Sequence, residues 1–97
     1  MPREKALHER IMAYINAQPG CLCRKRHGSR YSTRGDPDLY GSLRGRHFEF
    51  EIKQPGERPT GLQLARLREW SEAGAMTGWF DDFEQAKEEM ESHVPPR

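Results

Sequence analysis

The segment Arg46-His47-Phe48-Glu49-Phe50-Glu51-Ile52-Lys53 constrains this chain more than any other. Side chains alternate between the two faces of a strand, so Phe48, Phe50 and Ile52 are placed to enter a core while Glu49, Glu51 and Lys53 share the opposite face. Carboxylates and an ammonium on one face need a counterpart. Gly35-Asp36-Pro37-Asp38 lies upstream, and if Asp38 opens the preceding strand it meets Glu51 and Lys53 across an antiparallel pair. Such a pocket of hard oxygen donors suits a divalent cation, leaving Lys53 to meet a phosphate.

The flanking patterns give the other elements. Leu7, Ile11, Tyr14 and Ile15 form the apolar stripe of a helix from about residue 2 to 17, and Pro19-Gly20 ends it. Cys21 to Lys25 predicts a short strand, and a loop rich in Gly, Ser, Thr and Arg follows to Gly35. Asp38 to Gly41 predicts a second strand, joined by a tight turn to the third at Arg46 to Lys53. Pro55 and Pro59 end that ladder, because proline lacks the amide donor. Thr60 then predicts an N-cap for a helix to about Ala73, with Leu67 and Trp70 inward and Gly74 as its stop. Ala75 to Phe80 predicts a fourth strand. Asp81 or Asp82 caps a last helix on which Phe83, Ala86 and Met90 repeat at helical spacing. The predicted order is α-β-β-β-α-β-α. A helix between the third and fourth strands implies a parallel crossover, so the fold class is α/β with a mixed four-stranded sheet flanked by helices.

At 97 residues the chain predicts one domain, with a core over about residues 4–91 and a frayed tail over 92–97. Net charge is only +1, so the total does not signal a nucleic-acid binder. The distribution says more. Arg24, Lys25, Arg26, Arg30 and Arg34 occur with no acid among them, whereas six acids face Lys87 between Asp81 and Glu91. A basic stretch ahead of an acidic pocket is what a phosphodiester requires, since the acids alone would repel it. Arg24, Lys25, Arg26, Arg30, Tyr31 and Arg34 are accordingly the candidate DNA contacts, giving affinity without sequence readout; the alternative is a solvated loop.

No stretch approaches the length of an apolar membrane span, and residues 1–5 lack the apolar region of a signal peptide. A soluble, cytoplasmic protein without membrane partners is expected. Cys21 and Cys23, two apart on a strand, lack easy disulfide geometry and read as reduced. The four histidines, His8, His27, His47 and His93, show no zinc-finger spacing.

Gly35-Asp36-Pro37-Asp38 followed by Glu51-Ile52-Lys53 resembles the motif of the PD-(D/E)xK nucleases. The fuller order is an early Glu on a first helix, Gly-x-Pro-Asp, Glu-x-Lys-x-Pro-Gly, and a Gln opening the next helix. In that order the chain is similar to the virus-type replication-repair nuclease (VRR-NUC) branch over about residues 4–90. The resemblance implies a restriction-endonuclease-like core and a Mg²⁺- or Mn²⁺-dependent endodeoxyribonuclease leaving a 5′-phosphate. By analogy with stand-alone members it also implies a homodimer acting on branched, Holliday-type DNA in a bacterial or phage-infected cell, in a DNA repair role. The rival reading is a nucleic-acid-binding module of the same fold that does not cut.

The Asp38, Glu51 and Lys53 set argues against that rival, since a binder gains little from clustered acids facing phosphate. Asp38, Glu51 and the main-chain carbonyl of Ile52 are the candidate metal ligands, and Lys53 would stabilise charge on the phosphoryl oxygens. Glu4 shares the azimuth of Leu7 and Ile11, so it either reaches the metal through water, as the family's first-helix Glu does, or favours the helix dipole. Gln63 either resembles the family's substrate-holding glutamine or closes a capping box with Thr60. Glu49 is an auxiliary ligand or a rim residue, Asp36 points away, and His8 is a DNA contact or a hydrogen-bonded buried histidine.

Overall fold

A computed structural model describes residues 2–28, 30 and 32–94. Its elements run α1 (Pro2–Ala17), β1 (Cys21–Lys25), β2 (Leu39–Leu43), β3 (Arg46–Ile52), α2 (Gly61–Glu72), β4 (Met76–Phe80) and α3 (Phe83–His93). The sheet order is β1-β2-β3-β4. β1 pairs antiparallel with β2 and β2 with β3, while β3 and β4, joined through α2, are parallel. This is the mixed sheet that the strand and helix order predicts.

The β2–β3 register places Leu39 opposite Phe50 and Gly41 opposite Phe48. The hairpin turns on Arg44 and Gly45, both with positive φ (51° and 93°), the combination whose twist matches that of the strands. At Gly41 a Cβ would lie 1.9 Å from the Leu22 carbonyl oxygen, so only glycine allows β1 to lie this close.

Phe48, Phe50 and Ile52 are fully buried on one face with Leu39, Leu43 and Cys23. Ile11 and Ile15 of α1 and Phe83, Ala86 and Met90 of α3 cover that face. Packing is reinforced by edge-on ring contacts between Phe50 and Phe80 and between Tyr14 and Phe83. Each buried side chain of this size contributes about 1.5–3 kcal/mol of burial free energy. α1 is also clamped to the outer edge of β1. The Asn16 side chain accepts from the Cys23 N–H (2.8 Å) and donates to the Cys23 carbonyl (3.2 Å). Burial pushes the Cys23 thiol up to about 12, which leaves it inert.

α2 packs on the other face, where Trp70 meets the His47 ring at 5.2 Å. Its start is a complete capping box: the Thr60 hydroxyl accepts from the Gln63 N–H and the Gln63 Oε1 accepts from the Thr60 N–H. Asp82, not Asp81, caps α3 by accepting from the Gln85 N–H. Two boundaries differ from expectation. β2 starts at Leu39, leaving Asp38 just outside it, and β3 ends at Ile52, with the Lys53 N–H supplying the last ladder bond to the Phe80 carbonyl of β4. The larger difference is that α2 helps close the charged face of β3: Glu49 and Glu51 are 0% and 2% exposed. Neither is a solvated strand residue. Among the described residues no helix is long and apolar enough to cross a membrane.

Candidate metal centre and its surroundings

The acids converge at the end of the sheet where β1 and β3 finish, β2 begins and α1 starts. Asp38 is held by the backbone: its Oδ2 accepts from the Ile52 N–H at 3.0 Å. The N–H and C=O of one strand residue point the same way, so the Ile52 carbonyl opens toward Asp38 too. Glu51 shares a hydrogen bond with Asp38 and feels the charges of both Lys53 and Glu4. Asp38, Glu51, Lys53 and Glu4 are thus neighbours, as the motif spacing predicts.

Burial is the largest influence on the two paired carboxyls and pushes both up. For Asp38, the nearby His8, the Glu51 carboxyl and the Ile52 N–H reverse that push and hold it at about 2. For Glu51, the hydrogen bond to Asp38 and the charge of Asp38 add to burial, and Glu4 adds a little more; Lys53 opposes them, and the net lifts it to about 9. The dyad therefore keeps one proton at neutral pH, as two close carboxyls in a low-dielectric site must.

His8, one helical turn after Glu4, comes to the same place. It is 5% exposed; its Nε2 pairs with Asp38 Oδ2 at 3.3 Å, and its Nδ1 has no hydrogen-bond partner. One donor atom each from Glu4, His8 and Asp38 lie within 4.8 Å of one another. Ligands of one small divalent cation at about 2.0–2.2 Å stand up to ~4.3 Å apart, so small side-chain rotations bring this triple into range. An orphaned imidazole nitrogen beside two carboxylates and a strand-end carbonyl is a donor set that fits a divalent cation. Buried His8 has no access to DNA, which corrects the first of its two sequence readings; the second describes it better, since it is buried and its Nε2 faces the Asp38 carboxylate.

Other candidates fall elsewhere. Glu49 is neither rim residue nor auxiliary ligand in this arrangement. Its carboxylate meets Arg26 at 2.7 and 3.2 Å and His47 at 2.6 Å, which consumes its oxygens. Arg26 is corrected in turn. Besides Glu49 it donates to the Pro37 carbonyl and lies over the Tyr40 ring at 4.6 Å, so it braces the loop before Asp38 instead of projecting toward a ligand. Asp36 accepts from Trp70 Nε1 at 3.2 Å, pointing away from Asp38 as expected. Gln63 spends its Oε1 on the capping box, the second of its two readings.

Arg24, Arg30 and Arg34 are exposed and Lys25 half-buried; Tyr31 lies outside the described residues. The Arg34 carbonyl is fixed by Arg66 Nε at 2.9 Å. A cleft of about 220 Å³ runs from Arg26 and Gly28 along residues 32–38 and ends at Asp38. A groove of about 200 Å³ lined by Tyr14, Cys21, Leu43 and Met90 sits at the opposite end of the strands, away from the acids. The signal for His8 in the sequence was its spacing of four from Glu4; nothing local could tie it to Asp38.

No protein-family model matches the sequence, and no curated protein does either. Solved structures do match. One described as a "VRR_NUC domain protein" superposes with a TM-score of 0.78 over 95% of this chain and 88% of its own, at 15% identity. Another, described as a "VRR_NUC domain", gives 0.76 over 96% of this chain and 98% of its own, at 24% identity. The chain has the fold of these VRR_NUC structures, a small α/β fold with a mixed four-stranded sheet and three helices.

Proposed function

We propose that this nuclease-type fold is a Mg²⁺- or Mn²⁺-dependent endodeoxyribonuclease that hydrolyses DNA phosphodiesters, working as a homodimer on branched DNA. The observation that carries the reading is the meeting of Glu4, His8, Asp38, Glu51 and Lys53 at one end of the sheet, with the carboxyls of Asp38 and Glu51 hydrogen-bonded to each other. Burying that many acids together is costly unless a cation offsets their repulsion.

Asp38, Glu51 and the Ile52 carbonyl would hold the ion, and Glu4 would reach it through water. When bound, the cation supplies Lewis acidity toward the scissile phosphate and acidifies the attacking water. Lys53 places a fixed positive charge where the phosphoryl oxygens gain negative charge. The cleft along residues 32–38 gives a DNA strand a route to Asp38, with Arg30 and Arg34 on the approaching loop supplying sequence-independent attraction. Two-fold pairing of chains matches a junction with two equivalent scissile strands.

The test is cleavage of supercoiled plasmid and of a four-way junction, with Mg²⁺, Mn²⁺ or EDTA, by the wild type, Asp38→Asn and Lys53→Ala. Cutting should require the ion and fall by at least about a hundredfold in either variant. Cutting that persists in EDTA or in both variants overturns the mechanism, and junction binding without cutting in any metal makes the chain a binding module.

A further inference from the structure

We infer that His8 is a nitrogen ligand of the cation held at Asp38, and that the site therefore selects Mn²⁺ over Mg²⁺. The inference rests on the metal-dependent reading above and adds a ligand and a preference to it.

Three observations converge on His8. It is buried to 5% exposure, so it offers nothing to a macromolecule at the surface. Its Nδ1 has no hydrogen-bond partner at all, which is rare for a buried polar atom and calls for a specific explanation. Its Nε2 is aimed into the acidic pocket, 3.3 Å from Asp38 Oδ2, and one of its ring nitrogens lies within 4.8 Å of a Glu4 oxygen. His8 thus completes a cluster of donors from two parts of the chain, with Glu4 and His8 on one face of α1 and Asp38 just before β2.

Donor chemistry sets the preference. Mg²⁺ binds oxygen almost exclusively and keeps its waters, so an imidazole adds little to its affinity. Mn²⁺ and the later divalent metals accept imidazole nitrogen readily, and affinity rises along that series. Replacing one oxygen donor by His8 should therefore cost Mg²⁺ and favour Mn²⁺ at the same position.

The test reads binding, not cleavage. Wild-type protein loaded with Mn²⁺ alone is measured by pulsed EPR for nitrogen modulation of the spin echo. Calorimetry then gives Mn²⁺ and Mg²⁺ affinities for the wild type and for His8→Gln, with circular dichroism checking the fold. Nitrogen modulation in the wild type and its loss in His8→Gln are expected, with Mn²⁺ affinity falling roughly tenfold or more and Mg²⁺ affinity staying within about threefold. Absence of nitrogen modulation in the Mn²⁺-loaded wild type overturns the proposal without any variant. Equal losses for both metals also overturn it, making His8 a support for the pocket. Neither of those results touches the nuclease reading, whereas a wild type that binds no divalent ion removes both.

Discussion

Arg26→Ala should unfold this protein more than it weakens any contact with DNA. The Glu49 carboxylate is 0% exposed and depends on Arg26 at 2.7 and 3.2 Å and on His47 at 2.6 Å. Removing one partner of a buried ion pair costs about 3–5 kcal/mol, because the remaining charge stays desolvated. Here the Arg26 side chain is 23% exposed and that of His47 43%, so water can enter the space vacated and His47 keeps one oxygen satisfied. The lower end applies, about 3 kcal/mol, with about 0.5–1 kcal/mol more from the guanidinium lost over Tyr40. For a domain of this size a total of about 3.5–4 kcal/mol lowers Tm by roughly 14–32 °C. Urea unfolding followed by circular dichroism would measure it. The double variant Arg26→Met/Glu49→Leu should recover most of the loss, since it leaves no charge stranded. An Arg26→Ala protein within about 0.5 kcal/mol of wild type, with DNA affinity sharply reduced, would refute this account and restore Arg26 as a phosphate contact.

Two further outcomes follow from the site. Glu51, lifted from 4.5 to about 9, contributes stability that is complete below pH 4.5 and is lost as pH rises through about 9. Without divalent ions, unfolding free energy should fall by up to about 1.4 kcal/mol per pH unit between pH 6 and 8, a slope that Glu51→Gln flattens; equal slopes for the two proteins would reject the shared proton. Asp38, held at about 2, has the opposite sign, with stability present above pH 3.8 and lost in acid as pH falls toward 2. Gln63→Ala should cost about 0.5–1 kcal/mol of stability through the capping box, and a large drop in cleavage at unchanged stability would show a second role in the reaction.

Local pattern made much of this legible. The alternation along β3 placed Phe48, Phe50 and Ile52 inward, and hairpin register then brought Asp38 to Glu51, because both follow from a period of two and a short turn. The Thr60–Gln63 spacing announced its capping box in the same way. What a strand pattern cannot say is what lies over its second face. The pattern around Glu49 hides its burial because its partner Arg26 comes from the loop after β1 and Trp70 from a helix beyond a crossover, and pairing at such separations leaves no periodic trace. Arg26 was misread for the same reason, since an arginine that braces a loop and one that meets phosphate have the same sequence signature. His8 needed both its burial and its distance from Asp38, and neither can be read along a single helix.

The clamp between Asn16 and β1 bears on how two copies could associate. An outer strand ordinarily offers its open amides and carbonyls as a seam along which a second molecule adds its own strand. Here the Cys23 N–H and carbonyl are committed to Asn16 and the Cys21 N–H to the Gln18 carbonyl. The middle of that seam is already stitched from within, which works against a second molecule's strand adding along the full length of this margin.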